Sequence, residues 1–217
     1  MLSLVALGLE YVDGPLARWA AGFVAAHPGV HAFFQIVTQL GLSGWILVLT
    51  AFAATIVASR DLRSLPATQR PRHANWHGLS LFAFAAVAIS GSLASLVKNT
   101  IGRARPKHLE TLGPHHFDFA AFEASFASFP SGHATTIGAL CAVLALVLPR
   151  WWPAWLVLAI VAGGSRVMVG AHYPSDVVAG LAFGALGTLM IAGWLARRRL
   201  LFRWREGEVL PRLRRPL

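Results

Sequence analysis

The chain has 217 residues, is 56% hydrophobic and only 13% charged, and has a mean hydropathy of +0.58. A soluble domain would carry roughly 25% charged residues, so a water-soluble globule is excluded, and several apolar stretches reach or approach the roughly 20 residues that cross a bilayer core. The formal net charge of +10 does not imply nucleic acid: thirteen of the 19 basic residues flank apolar spans, at Arg60, Arg63, Arg70 and Arg72, at Arg150, and in eight arginines from Arg197 to Arg215, which is the positive-inside pattern and not a basic module interleaved with aromatics.

The pattern predicts an all-α, polytopic transmembrane bundle in a single membrane-embedded domain over 1–217. Residues 1–30 form its N-terminal segment. Met1 to Leu9 is apolar but too short to span, and Glu10, Asp13 and Arg18 interrupt the stretch after it. Residues 15–26 read as a helix lying in the interface, with Trp19 and Phe23 directed into lipid; a tight hairpin adding a sixth span is the alternative. A cleaved signal peptide is not expected, since the charged leader and small-residue cleavage site are missing.

Five spans come next, at about 40–58, 78–97, 132–148, 154–169 and 175–196. Trp45, Trp76, Trp151, Trp152, Trp155 and Trp194 lie near their ends, where aromatic belts form. Cys141 sits alone in an apolar run and reads as a small buried hydrophobe. Gly180 and Gly184 make a GxxxG in the last span, a close-packing signal within the bundle or at a dimer interface; monomer and homodimer both stay open. With five spans and the basic tail (197–217) on the cytoplasmic side, the N-terminus, the 98–131 segment and the 164–176 connection fall outside. The basic residues left there are Arg18, Lys98, Arg103, Arg105, Lys107 and Arg166.

Three runs on that outer face carry chemistry. The first is Lys98 to Pro106 (KNTIGRARP), where Lys98 is a point charge and Arg105 a planar fork matched to phosphate oxygens. Taken alone, both also read as snorkelling interface cations, and Arg103 as a contact to lipid headgroups. The second is Pro130-Ser131-Gly132-His133, which starts a long helix. Its N-terminal N–H groups suit an anion, Gly132 permits close approach, and His133 projects from the first turn; a helix start without function is the plain alternative. The third is Ser165 to Asp176. Arg166 near the end of an apolar helix is costly unless it lines a polar site. The four-residue spacing lets Asp176 reach one ring nitrogen of His172 and leave the other free to attack. The plain alternative is an interfacial histidine beside an aspartate in a first helical turn.

Together the runs favour a phosphoryl-transfer site. Lys98-(six residues)-Arg105-Pro106, Pro130-Ser131-Gly132-His133 and Ser165-Arg166-(five residues)-His172-(three residues)-Asp176 resemble the three-part signature of the type 2 phosphatidic acid phosphatase (PAP2) superfamily, in its membrane-integral bacterial branch. The resemblance implies His172 as nucleophile, Asp176 as its partner, His133 as general acid, and Lys98, Arg105, Ser131, Gly132 and Arg166 as phosphate ligands. It implies no metal and no cofactor. The expected partners are the bilayer and a phosphorylated lipid: phosphatidylglycerol phosphate, undecaprenyl diphosphate, phosphatidate or a lipid A phosphate. The expected location is the bacterial inner membrane with the site facing the periplasm. His172 must be neutral to attack and His133 protonated to assist departure, so a bell-shaped pH dependence is expected.

His108, His115 and His116, with Glu110, Asp118 and Glu123, lie between the first two runs but match no metal spacing; they read as a lid over the site. A phosphotransferase on the same scaffold and a non-enzymatic anion transporter are the alternative functions. A vanadate-dependent haloperoxidase shares the signature but does not require a membrane bundle.

Overall fold

The computed structural model describes residues 11–61 and 64–214; the expectations for Met1 to Leu9, Glu10, Arg63 and Arg215 lie outside the described residues. Eight α-helices occur among them: α1 (Asp13–Ala26), α2 (Pro28–Val37), α3 (Ser43–Ala58), α4 (Arg70–Ile101), the short α5 (Leu109–Leu112), α6 (Gly132–Val147), α7 (Trp152–Met168) and α8 (Pro174–Arg197). A two-stranded antiparallel ribbon, β1 (Phe202–Arg203) with β2 (Arg212–Leu213), comes after α8.

Three segments are long and apolar enough to cross a membrane: Arg70–Ile101, Pro149–Met168 and Pro174–Arg197. Helices α3 and α6 are apolar but have 16 residues each. The segments Asp13–Ala26 and Pro28–Gly41 would make a fourth crossing if read as one span, but they bend by 115° at His27. Among the described residues the chain is therefore a multi-pass helical bundle with three clear spans and up to four. Helix α4 also starts eight residues before the apolar stretch at Gly78, adding two turns that carry Arg70, Arg72 and His73.

The bundle packs small residues inward and large ones outward, as lipid requires. Val48, Leu49, Phe52, Leu96, Ile160 and Met190 are exposed, whereas Ala86, Ala94, Ala134, Ala139 and Ala192 are fully buried. Helices α6 and α8 meet backbone to backbone. A Cβ on Gly184 would lie 2.0 Å from the Thr135 carbonyl oxygen, and one on Gly180 would lie 2.5 Å from that of Ser131. The GxxxG pair thus serves packing within the bundle. Cys141 is buried beside Ile137 and Ala162. At the arginine-rich end the chain after α8 folds back, and fully buried Phe202 packs edge-on against Phe82, 4.8 Å between ring centres.

Chain direction puts the end of α4, the start of α6, the end of α7 and the start of α8 at one end of the bundle. All three sequence runs lie at those termini.

Candidate active site

Ser131 caps α6, its hydroxyl accepting from the Ala134 N–H at 3.4 Å. The Ser131 N–H donates to the Asp176 carbonyl of α8 at 3.0 Å, which fixes the first turn of α6 beside the third run. Lys98, in the last turn of α4, brings its Nζ to 3.9 Å from where a Cβ on Gly132 would sit. Glycine there leaves the helix start open to a ligand. The α4 helix stops at Gly102, whose left-handed φ of +66° and packing against the Asp118 carbonyl admit no side chain. Arg105 is consequently extended (φ −77°, ψ 162°), as its proline neighbour demands, and its N–H donates to the Ser125 carbonyl at 3.0 Å.

Arg105 and Arg166 each keep a buried Nε–H without a protein acceptor. A buried donor left unpaired costs about 1–3 kcal/mol, and each guanidinium thus keeps one donor free for an acceptor. The other arm of Arg166 is fixed: Nη1 donates to Thr38 Oγ1 at 2.6 Å. Burial pushes the Arg105 pKa below the ordinary guanidinium range, while the nearby Asp176 carboxylate opposes the shift. Lys98, Arg105, Arg166 and His172 all lie within electrostatic reach of His133. The cations and both histidines therefore converge.

His172 is buried, and its Nδ1 lies 2.9 Å from the Ser128 carbonyl. A carbonyl only accepts, so Nδ1 carries the proton and Nε2 is the free nitrogen. Asp176 Oδ2 is 3.7 Å from Nδ1, too far for the direct hydrogen bond that the spacing suggested. Its oxygens are occupied elsewhere. Oδ1 accepts from Arg103 Nη1 at 2.5 Å, and Oδ2 accepts from Ser128 Oγ at 2.6 Å and the Tyr173 N–H at 2.9 Å. Burial holds the His172 imidazole below its ordinary 6.5 despite the pull of Asp176 in the other direction, so the ring is neutral at neutral pH.

A family model described as the PAP2 superfamily matches residues 79–200, more than half of the chain. The chain belongs to the PAP2 superfamily. It is 40% identical over 206 residues to a lipid A 1-phosphatase of Rhizobium johnstonii, an alignment covering 93% of this chain and 81% of that protein. The fold is also that of a PAP2-type phosphatidylglycerolphosphate phosphatase from Bacillus subtilis (TM-score 0.61, 22% identity, 88% of this chain and 90% of that chain). It is likewise that of Aquifex aeolicus LpxE (TM-score 0.54, 20% identity, 83% and 94%). This PAP2 protein is thus a hydrolase, a membrane lipid phosphatase.

Beside the convergent cations the PAP2 protein has a groove of about 570 Å³. It takes in Lys98, Gly132 and His133 and continues along α4 past Ser95 and Gly91 to Val87, with Leu42 and Leu47 opposite. The eleven steps along α4 from Val87 to Lys98 span roughly 16 Å. The groove joins a cationic end to a mostly apolar wall.

Several site residues were not legible as such. Arg103 does not meet lipid headgroups: it is fully buried, sits 4.3 Å over the Tyr173 ring, and bonds Asp176, Ser175, Asp13 and the Pro114 carbonyl. Asp13, read as an interruption of the stretch after Leu9, is equally buried. Ser128 contributes through its carbonyl, and Thr38 through Arg166. Gly41 packs against His133, where an added Cβ would come within 2.9 Å of the His133 Cβ. The one available signal was Asp13, an acid in an apolar stretch, which calls for a partner. In the loop between the first two runs, His108 stacks on Phe126, 5.4 Å between ring centres, and residues 116–120 pair with 100–104 through backbone hydrogen bonds.

Proposed function

We propose that this PAP2 protein removes the terminal phosphate of a membrane lipid through a phosphohistidine at His172, on the outer, periplasmic face of a bacterial inner membrane. One observation carries the reading. The groove that begins at Lys98 and His133 runs about 16 Å down a mostly apolar wall of leucines, Val87 and Ala88, with the hydroxyls of Ser43, Ser92, Ser95 and Thr136 among them. A substrate with a phosphate at one end and an acyl or prenyl chain at the other therefore fits both ends at once. Lys98, Arg105, Arg166 and the α6 start around Ser131 and Gly132 hold the phosphoryl oxygens. Catalysis of this kind is mostly positioning and charge stabilisation.

In the first step the His172 Nε2 lone pair forms an N–P bond while the P–O bond to the lipid breaks. His133 passes its proton to the departing oxygen. In the second step a water gives that proton equivalent to His133 and its oxygen to phosphorus. The N–P bond breaks, free phosphate leaves, and His172 is restored. The arginines of the opposite end, at Arg60, Arg70, Arg72, Arg150 and Arg197, then face the cytoplasm. The whole chain acts as a single domain with a basic cytoplasmic tail.

Lipid A phosphorylated at the 1-position leads the candidate substrates, because a relative alike over most of both chains bears that name; phosphatidylglycerol phosphate, undecaprenyl diphosphate and phosphatidate are the others. The test is phosphate release by purified protein from each lipid in mixed micelles, with and without a chelator. Release from at least one lipid, unaffected by chelator and absent in His172→Ala, is expected. Release that survives His172→Ala overturns the reading. A requirement for an added acceptor alcohol would assign the same site to phosphotransfer.

A further inference from the structure

Arg103 and Asp13 touch no part of the convergent cation site, yet they are among the most completely buried groups in the protein. Arg103 donates through Nη2 to Asp13 Oδ2 at 2.7 Å and through Nη1 to Asp176 Oδ1 at 2.5 Å. Asp13 also accepts from the Ser175 N–H at 2.9 Å and from the Ser175 hydroxyl at 2.5 Å. Asp176 accepts from Ser128, whose carbonyl accepts from His172 Nδ1. An unbroken chain of hydrogen bonds thus runs Asp13–Arg103–Asp176–Ser128–His172. Its first member lies in α1, outside the region that matches the family model.

We propose that Asp13 and Arg103 are positioning residues for the phosphatase reaction, acting on His172 through Asp176 and Ser128, so that α1 is a working part of the catalytic unit. The inference rests on the reading of His172 as the nucleophile. Asp176 alone cannot orient His172, because it makes no hydrogen bond to the ring. The Ser128 carbonyl holds the ring. Ser128 is held by Asp176, Asp176 by Arg103, and Arg103 by Asp13. The two carboxylates and one guanidinium carry a formal charge of −1, buried behind the imidazole. Arg105, Arg166 from α7 and His133 from α6 lie within electrostatic reach of the ring. The buried charge behind His172 therefore sets where its free nitrogen protonates.

The acid limb of kcat/KM, which reports His172 in the free enzyme, should then move with a definite sign in each variant. Asp13→Asn brings the buried charge to zero, disfavours the imidazolium and moves the limb to lower pH. Arg103→Met brings it to −2 and moves the limb to higher pH. Each shift is roughly one pH unit, the effect of one buried charge a short distance away. The double variant restores −1 and returns the limb to its wild-type position. A kcat loss of about 10-fold or more with KM little changed is expected in all three, since displacement of the nucleophile is costly.

The experiment is the pH profile of phosphate release for wild type, His172→Ala and these variants on one lipid, so that the substrate's own titration cancels. Activity of the wild type and its absence in His172→Ala secure the underlying reading separately. Limbs that stay in place, or move the same way in both single variants, overturn the inference. If the single variants do not yield folded protein, Arg103→Lys decides. It keeps the charge and loses the fork, so kcat is expected to fall about 10-fold with the limb unmoved, and wild-type kcat overturns the inference.

Discussion

The Ser131 N–H and the Asp176 carbonyl are joined at 3.0 Å, so the residue that opens α6 and a residue in the first turn of α8 move as one. Gly180 and Gly184 let the two helices come close enough for this bond. Relative placement of His133 and His172 therefore depends on small residues buried one and two turns deeper along α8.

Gly184→Val tests that dependence. Its Cβ would meet the Thr135 carbonyl oxygen at 2.0 Å, and over-packing of this sort costs about 1–3 kcal/mol or more. Thermal unfolding in detergent should come at a lower temperature, with kcat reduced. Gly22→Ala in α1, where nothing lies within 4 Å, should leave both unchanged.

His172→Ala should abolish turnover with the protein still monodisperse and folded. Wild-type enzyme incubated with ³²P-labelled lipid and quenched in alkali should carry a label that survives alkali, is lost in acid, and is absent from His172→Ala. Label of equal intensity in both would remove His172 from the covalent step.

Thr38→Val removes the hydroxyl that accepts from Arg166 Nη1 at 2.6 Å while keeping the shape. A hydrogen bond to a charged group contributes about 1.5–3 kcal/mol. The guanidinium should wander, so inhibition by inorganic phosphate or vanadate should weaken about 10-fold, a change of about 1.4 kcal/mol in binding. An unchanged inhibition constant would mean that Arg166 is held by other contacts.

Burial lowers the His172 pKa from its ordinary 6.5. As the proposed nucleophile, His172 must be unprotonated, so its active fraction is full above the lowered value and is lost only as pH falls through it. The acid limb of kcat/KM should lie below 6.5, and a limb above it would show that Asp176 outweighs desolvation.

Asp176→Asn should cost stability as well as rate. Asp176 is fully buried and pairs with Arg103 at 2.5 Å. Breaking a buried pair costs about 3–5 kcal/mol, with Asp13 still left to compensate part of the charge. Lower thermal stability together with lower kcat is the expected result, and a stability equal to wild type would show that Asp13 balances Arg103 alone.

Three spans were legible because lipid admits only long apolar helices, and α4, α7 and α8 lie on their apolar stretches; α3 and α6 lie on the other two but are shorter, at 16 residues each. The cation site was legible because Lys98, Arg105, Arg166 and both histidines sit in short local runs. The parts that stayed hidden have no local signature. The Ser128 carbonyl is a backbone group that any residue could offer. The pairing of Arg103 with Asp13 spans 90 positions and needs α1 folded against the start of α8. The 115° turn at His27 lies in a hydropathy pattern that reads equally as one broken crossing or as a surface helix.

The return of the chain at Phe202 has a practical bearing on experiments that fuse reporters to find which side each terminus faces. Phe202 is fully enclosed against Phe82 beyond the last helix. A fusion joined at Arg199, the natural place to cut after the final crossing, would discard the residue that closes the bundle at that end. Reporters should instead be placed after Arg214, whose N–H donates to the Leu201 carbonyl and secures the fold-back.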